Sequence, residues 1–258
     1  MLTSRDPANK TARLVIDQFR CVSDPEASGF ETVLPSGRCQ IIFSLAGRSL
    51  LDGASNGRPL AVFQGPSTTA RQIPRRPQQS ACGISFRPGG AGALFRRIDG
   101  FADQVVDLTG LLGKRAESLR EELRELGPHA ARLERLESTI VSLVEDTRSL
   151  ELISRGLEDL RAGRTVREVS HELGLSSHSF RKLFLVNVGL TPKTYLGIER
   201  FRSALARMTE ASSLSDLALD ARYSDQSHMT REVTRFASMS PGRLRASERP
   251  YPGHVRPR

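Results

Sequence analysis

YSDQSHMTREVTRFASMSP, residues 223–241, places Met229, Val233 and Phe236 at the spacing of one helix face. The opposite face carries Gln226, Ser227, Thr230 and Arg231. A merely solvated face is usually rich in Glu and Lys. This one is rich in uncharged hydrogen-bonding groups, the kind that reads a patterned surface. Ser240-Pro241 then pairs a capping hydroxyl with proline at the first position of a new helix, where the missing N–H costs little.

The same layout occurs earlier in the chain. TVREVSHELGLSSHSFRKLFLVNVGLTP (165–192) aligns with SLSDLALDARYSDQSHMTREVTRFASMSP (213–241) at an offset of 48, which becomes 49 after one extra residue in the second turn. Thr165/Glu168 and Ser213/Asp216 both resemble a capping box, in which a hydroxyl and a carboxylate satisfy free amides at a helix start. Val169 and Leu173 align with Leu217 and Ala221; Phe180, Leu183 and Phe184 align with Met229, Glu232 and Val233. Thr191-Pro192 matches Ser240-Pro241. Each copy reads as helix, tight turn, helix, an arrangement that lays its second helix in the DNA major groove, about 12 Å wide. The amphipathic KTYLGIERFRSALARM (193–208) joins the two.

This pair resembles the DNA-binding domain of AraC/XylS-type transcription regulators over roughly residues 150–246. The likeness rests on TVREVSHELGLSSHSFRKLF, LTPKTYLGIERFRSALARM and, above all, YSDQSHMTREVTRFASMSP. It implies two recognition helices entering successive major-groove segments on one DNA face, and a bacterial cytoplasmic regulator acting on RNA polymerase. The chain departs from the pattern at Arg222 and Ser238, where the family has Gly, and at Met229 and Val233, where it has Phe.

In the first copy the outer face carries His178, Arg181 and Lys182, and the resemblance makes these base-reading positions. Arg181 suits a bidentate contact to guanine O6/N7. In the second copy Gln226 suits adenine, Thr230 a thymine methyl, and Arg231 a guanine or a phosphate, with Ser227 beside them. Thr191 and Ser240 start helices whose free amides suit DNA phosphate.

Upstream, residues 1–110 read as β-rich. Short apolar runs, CQIIFSLAG, LAVFQG and CGISFRPGG, are separated by turn residues, and SNGRP reads as a hairpin turn. The spacing suggests a small sandwich or barrel. LPSGRCQIIFSL and GISFRPGGAGALF resemble, more loosely, the cupin-like sensor of the same regulators, which implies a small-molecule effector. Arg71, Arg75, Arg76 and Arg87 are the candidates for holding an anionic one. Residues 111–150 read as a helical hairpin: Leu119, Leu123 and Leu126, then Leu133, Leu136, Ile140 and Leu143, form an apolar seam on either side of Gly127-Pro128. That seam suits either the β domain or a homodimer, with dimerisation favoured. The expected class is α+β: a sensor-like domain at 1–110, a linker or dimerisation hairpin at 111–150, an all-α double helix-turn-helix domain at 151–247, and a disordered tail at 248–258.

Charge supports a polyanionic partner. Basic residues outnumber acidic ones 20 to 17 in residues 1–149 and 18 to 12 in 150–258, within a net charge of +9. No run reaches the roughly 18 apolar residues of a membrane span, and no secretory signal is visible. Cys21, Cys39 and Cys82 read as reduced cytoplasmic thiols. The five histidines are 129, 171, 178, 228 and 254, so residues 1–128 lack the His ligands of a metal-dependent cupin and a base for Cys82. RPGGAG lacks dinucleotide- or phosphate-loop spacing. No catalytic residue, metal or cofactor is expected. The alternatives are a non-specific basic DNA binder and, more remotely, a β-domain enzyme with a helical appendage.

Overall fold

The computed structural model describes residues 2–24, 29–47, 50, 59–75, 79–251 and 253–256. The SNGRP turn and Arg76 fall at least partly outside the described residues. The strands are β1 (Leu2–Arg5), β2 (Ile16–Asp24), β3 (Phe30–Val33), β4 (Gln40–Ser44), β5 (Ala61–Gln64), β6 (Arg71–Pro74), β7 (Gln79–Phe86), β8 (Val105–Asp107) and β9 (His254–Val255). The helices begin with α1 (Lys10–Val15), α2 (Gly92–Phe95), α3 (Thr109–Leu112), α4 (Lys114–Glu125), α5 (His129–Leu143) and α6 (Arg148–Arg161). They continue with α7 (Val166–Glu172), α8 (Ser177–Val188), α9 (Pro192–Arg207), α10 (Leu214–Asp220), α11 (Gln226–Ala237) and α12 (Pro241–Ala246). The chain is thus a β-rich N-terminal part followed by helices, as the α+β reading expects.

Two compact units divide the chain without following its order. The first comprises Met1–Ser28, Arg38–Pro66 and Arg76–Pro192; the second comprises Gly29–Gly37, Ser67–Arg75 and Lys193–Arg258. The boundary passes through the start of α9, so the first helix-turn-helix belongs to one unit and the second to the other.

In the first unit, six strands form one antiparallel sheet in the order β1-β2-β7-β4-β5-β8. The described strands thus form open sheets, not one closed barrel. Period-two alternation sends Phe19 and Cys21 of β2 and Ile41 and Phe43 of β4 into the core, each at most 1% exposed. Each buried Phe or Ile contributes about 2 kcal/mol of transfer free energy.

The hairpin α4–α5 joins the same core: Leu119, Leu123, Leu133, Leu136 and Ile140 are buried with the sheet residues. Arg120 donates from Nε to the Ser44 carbonyl at 2.7 Å. Glu137 accepts from the amides of Ala8 and Asn9, each at 2.7 Å. The seam that favoured a homodimer is therefore covered by the chain's own sheet. A sequence shows that such a stripe must be buried, not which surface buries it.

The cysteine reading is corrected in the same sheet. Cys21 and Cys82 lie opposite each other in the β2–β7 register, with Cα atoms 4.2 Å apart, and form a disulfide. They stand 61 residues apart, and only strand pairing brings them together. Cys39 is free and buried, and burial pushes its thiol up.

In the second unit, β6, β3 and β9 form an antiparallel sheet beside the helices α10–α12 and nearly all of α9. The tail expected to be disordered supplies β9, which pairs Val255 with Thr32 and His254 with Val33. Its prolines do not prevent this, because His254 and Val255 both keep their amides. The helical core is Tyr195, Ile198, Phe201, Met208, Leu217, Met229, Val233, Phe236 and Leu244, with the rings of Phe201 and Phe236 5.4 Å apart.

Candidate nucleic-acid interface

The first helix-turn-helix is built as its sequence suggests. Thr165 caps α7, accepting from the Glu168 amide, while Glu168 accepts from the Thr165 amide at 2.7 Å. These bonds hold the Glu168 carboxyl below its usual range. Gly174, at φ 68°, turns the chain, and Ser176 caps α8 by accepting from the Ser179 amide at 3.0 Å. Phe180 and Phe184 are fully buried. Leu183, between them, is only half-buried. His178, Arg181 and Lys182 lie at i, i+3 and i+4 on the exposed side. Among the described residues, the charged ends of Arg181 and Lys182 make no ion pair within the chain.

The second copy differs in its details. Ser213 caps α10 through the Asp216 amide at 3.1 Å, but Asp216 turns to the hydroxyls of Ser212 and Ser213 instead of completing a capping box. Those two hydroxyls hold the Asp216 carboxyl low. Asp225 caps α11, accepting from the His228 amide at 2.7 Å, and that bond draws its carboxyl down in turn. Its place just before the polar start of α11 is the signal that would have marked it as a cap.

Met229, Val233 and Phe236 form the buried face of α11, as the opening stretch predicted. Glu232, the polar residue among them, bridges Arg200 of α9 at 3.1 Å and Arg235 at 3.3 Å. The two positions where the family has Gly are both left-handed here: Arg222 has φ 62° and Ser238 φ 55°.

Gln226, Ser227 and Arg231 are exposed and Thr230 half-exposed on one stripe of α11. Gln226 Oε1 accepts from Ser215 Oγ of α10 at 2.7 Å. His228 packs edge-on to Tyr223, with ring centres 5.3 Å apart, and its Nδ1 lies 3.0 Å from Ser224 Oγ. Sequence reasoning missed Ser215 and Ser224, because neither sits on the helix that they touch. Thr191 and Ser240 are exposed, and Ser240 accepts from the Arg243 amide at 3.4 Å.

Of the arginines proposed for an effector, Arg76 lies outside the described residues. Arg75 is buried and pairs with Glu31 at 3.2 Å, with Tyr251 stacked 5.3 Å away. Arg87 donates from Nε to the Ile16 carbonyl at 3.1 Å. Arg71 is exposed on β6. Among the described residues, no group of three or more His, Cys, Asp or Glu is placed to hold a metal ion. No helix among them is long and apolar enough to cross a membrane.

The family described as "Helix-turn-helix domain" matches residues 169–247. Residues 169–247 are an AraC-type helix-turn-helix domain. A family described as "Domain of unknown function (DUF6597)" matches residues 6–107, the β-rich part ahead of the AraC-type domain. No curated protein sequence matches the chain. Several solved structures of ToxT from Vibrio cholerae are similar to it. ToxT of strain SCE256 with a bound unsaturated fatty acid is 11% identical over 92% of this chain and 95% of its own, with a TM-score of 0.45. ToxT of strain O395 is 10% identical over 93% and 94%, with a TM-score of 0.39. ToxT of strain O395 bound to (E)-4-(8-methylnaphthalen-1-yl)but-3-enoic acid is 9% identical over 93% and 95%, also with a TM-score of 0.39. An AraC-type domain points to a regulatory DNA-binding protein, not an enzyme.

Proposed function

We propose that the protein is a sequence-specific DNA-binding transcription regulator whose helices α8 and α11 read base edges in the major groove. The division of faces on α11 carries this reading. Met229, Val233 and Phe236 are no more than 2% exposed, while Gln226, Ser227 and Arg231 stand out to solvent. Uncharged amide and hydroxyl groups add little to phosphate neutralisation and much to base discrimination. His178, Arg181 and Lys182 give α8 the same role, and Thr191 and Ser240 contact phosphate. By the resemblance to AraC/XylS-type regulators, the β-rich region ahead of the helix-turn-helix domain takes a small effector, and RNA polymerase is the downstream partner.

In-vitro selection from random duplex DNA, at near-physiological salt and with the full-length protein, tests the reading. The expected result is a motif of two short boxes about one helical turn apart. Arg181→Ala and Arg231→Ala should each cost about 1–3 kcal/mol and relax preference at a few base pairs. Binding without an enriched motif, with a steep salt dependence, would instead establish a non-specific basic DNA binder.

A further inference from the structure

Gln226 is the first residue of α11, and its exposed side chain is engaged by the helix before it. Its Oε1 accepts the 2.7 Å hydrogen bond from Ser215 Oγ, eleven residues earlier on the supporting helix. Ser215 belongs to the capped start of that helix. It lies in the first turn of α10, between the capping residue Ser213 and Asp216, whose carboxylate gathers the hydroxyls of Ser212 and Ser213 at 2.8 and 2.7 Å.

A carboxamide has one accepting end and one donating end. Reading adenine uses both: the oxygen accepts from N6 and the nitrogen donates to N7. An amide whose oxygen is drawn back to the supporting helix offers chiefly its NH2 group. That group matches base edges that only accept, namely guanine N7 and O6 or thymine O4. We propose that Ser215 is a positioning residue that sets base specificity, turning Gln226 from adenine toward guanine or thymine.

The inference rests on α11 being a base-reading helix, and the test separates the two. Base preference is measured by competitive selection for the full-length wild type, Ser215→Ala, Ser215→Thr, Gln226→Ala and the Ser215→Ala/Gln226→Ala double variant, with a melting midpoint for each. Gln226→Ala should flatten preference at one position, where the wild type favours guanine or thymine. Ser215→Ala should shift that same position toward adenine by about fivefold, the size of one hydrogen bond. Ser215→Thr, which keeps the hydroxyl, should retain the wild-type preference. The double variant should match Gln226→Ala, since Ser215 has no amide left to orient.

If Ser215→Ala leaves the preference intact while Gln226→Ala flattens it, the positioning role is overturned and base reading stands. A lower melting midpoint for Ser215→Ala with unchanged preference overturns it too, leaving a purely structural serine. A wild-type preference for adenine or cytosine at that position would mean that the amide points the other way, which also overturns it. If Gln226→Ala changes no position, both the inference and the reading role of Gln226 fall.

Discussion

His254 Nδ1 lies 3.3 Å from Glu31 Oε2, across the pairing of β9 with β3. Arg75 reaches the same oxygen at 3.2 Å, and Arg256 Nε lies 3.9 Å from Oε1. The side chains of Glu31 and Arg75 are only 2% and 3% exposed. One buried carboxylate therefore ties together β3, the end of β6 and the C-terminal strand. Removing one partner from a buried ion pair leaves the other charge uncompensated, which outweighs any gain from a drier neighbour. Glu31→Gln should cost about 3 kcal/mol in urea unfolding.

The same carboxyl makes stability depend on pH. Burial pushes Glu31 up, but His254, Arg75 and Arg256 outweigh burial and hold it below its ordinary value of 4.5. A carboxyl depressed in the native state stabilises fully above its unfolded value and loses that contribution as pH falls through the native one. Glu31→Gln should therefore flatten the acid limb of the stability curve below about pH 4.5 and leave the neutral-to-alkaline shape unchanged.

Gly156 of α6 faces the ring of Phe180. A Cβ there would stand 2.7 and 2.8 Å from two ring carbons. Alanine gains up to about 1 kcal/mol in helix propensity. The ring is fully buried and would have to shift, and overpacking of this kind costs about 1–3 kcal/mol. Gly156→Ala should therefore destabilise the protein by about 1 kcal/mol net, measured by thermal unfolding. It should also weaken DNA binding, because Phe180 seats α8.

Ser238 ends α11 in a left-handed conformation, at φ 55° and ψ 25°. Glycine adopts that conformation without the Cβ penalty and is the usual residue at such a helix end. Ser238→Gly should raise stability by roughly 0.5–1 kcal/mol, with base preference unchanged. A fall in melting midpoint would contradict the geometry.

The Cys21–Cys82 bond closes a loop of about 60 residues. In the chain-entropy account a closure of that size stabilises by roughly 4 kcal/mol. Alkylation under denaturing conditions, with and without reductant, should show two masked thiols and one free one, Cys39. Reduction should lower the urea midpoint, and Cys21→Ser/Cys82→Ser should be insensitive to reductant.

The helices and their faces were legible in the residues because their causes are local. Thr165 meets Glu168 three positions away, and Met229, Val233 and Phe236 meet along one helix flank. Strand runs such as CQIIFSLAG were visible for the same reason, since alternation has a period of two. The exposed faces of α8 and α11 followed from that periodicity, while the base-reading role of His178, Arg181 and Lys182 came from the resemblance to AraC/XylS-type regulators. The amide partner of Gln226 followed from neither, because Ser215 is brought to it by the turn between two helices. Cys21 gave no sign of Cys82, nor Glu31 of His254, because their meeting depends on which strand edges pair. The hairpin leucines declared that they would be buried and left open against what. Hydrophobic burial is non-directional, so an apolar stripe carries no address. The address came from the sheet that β1, β2, β7, β4, β5 and β8 assemble and from the room it leaves for α4 and α5.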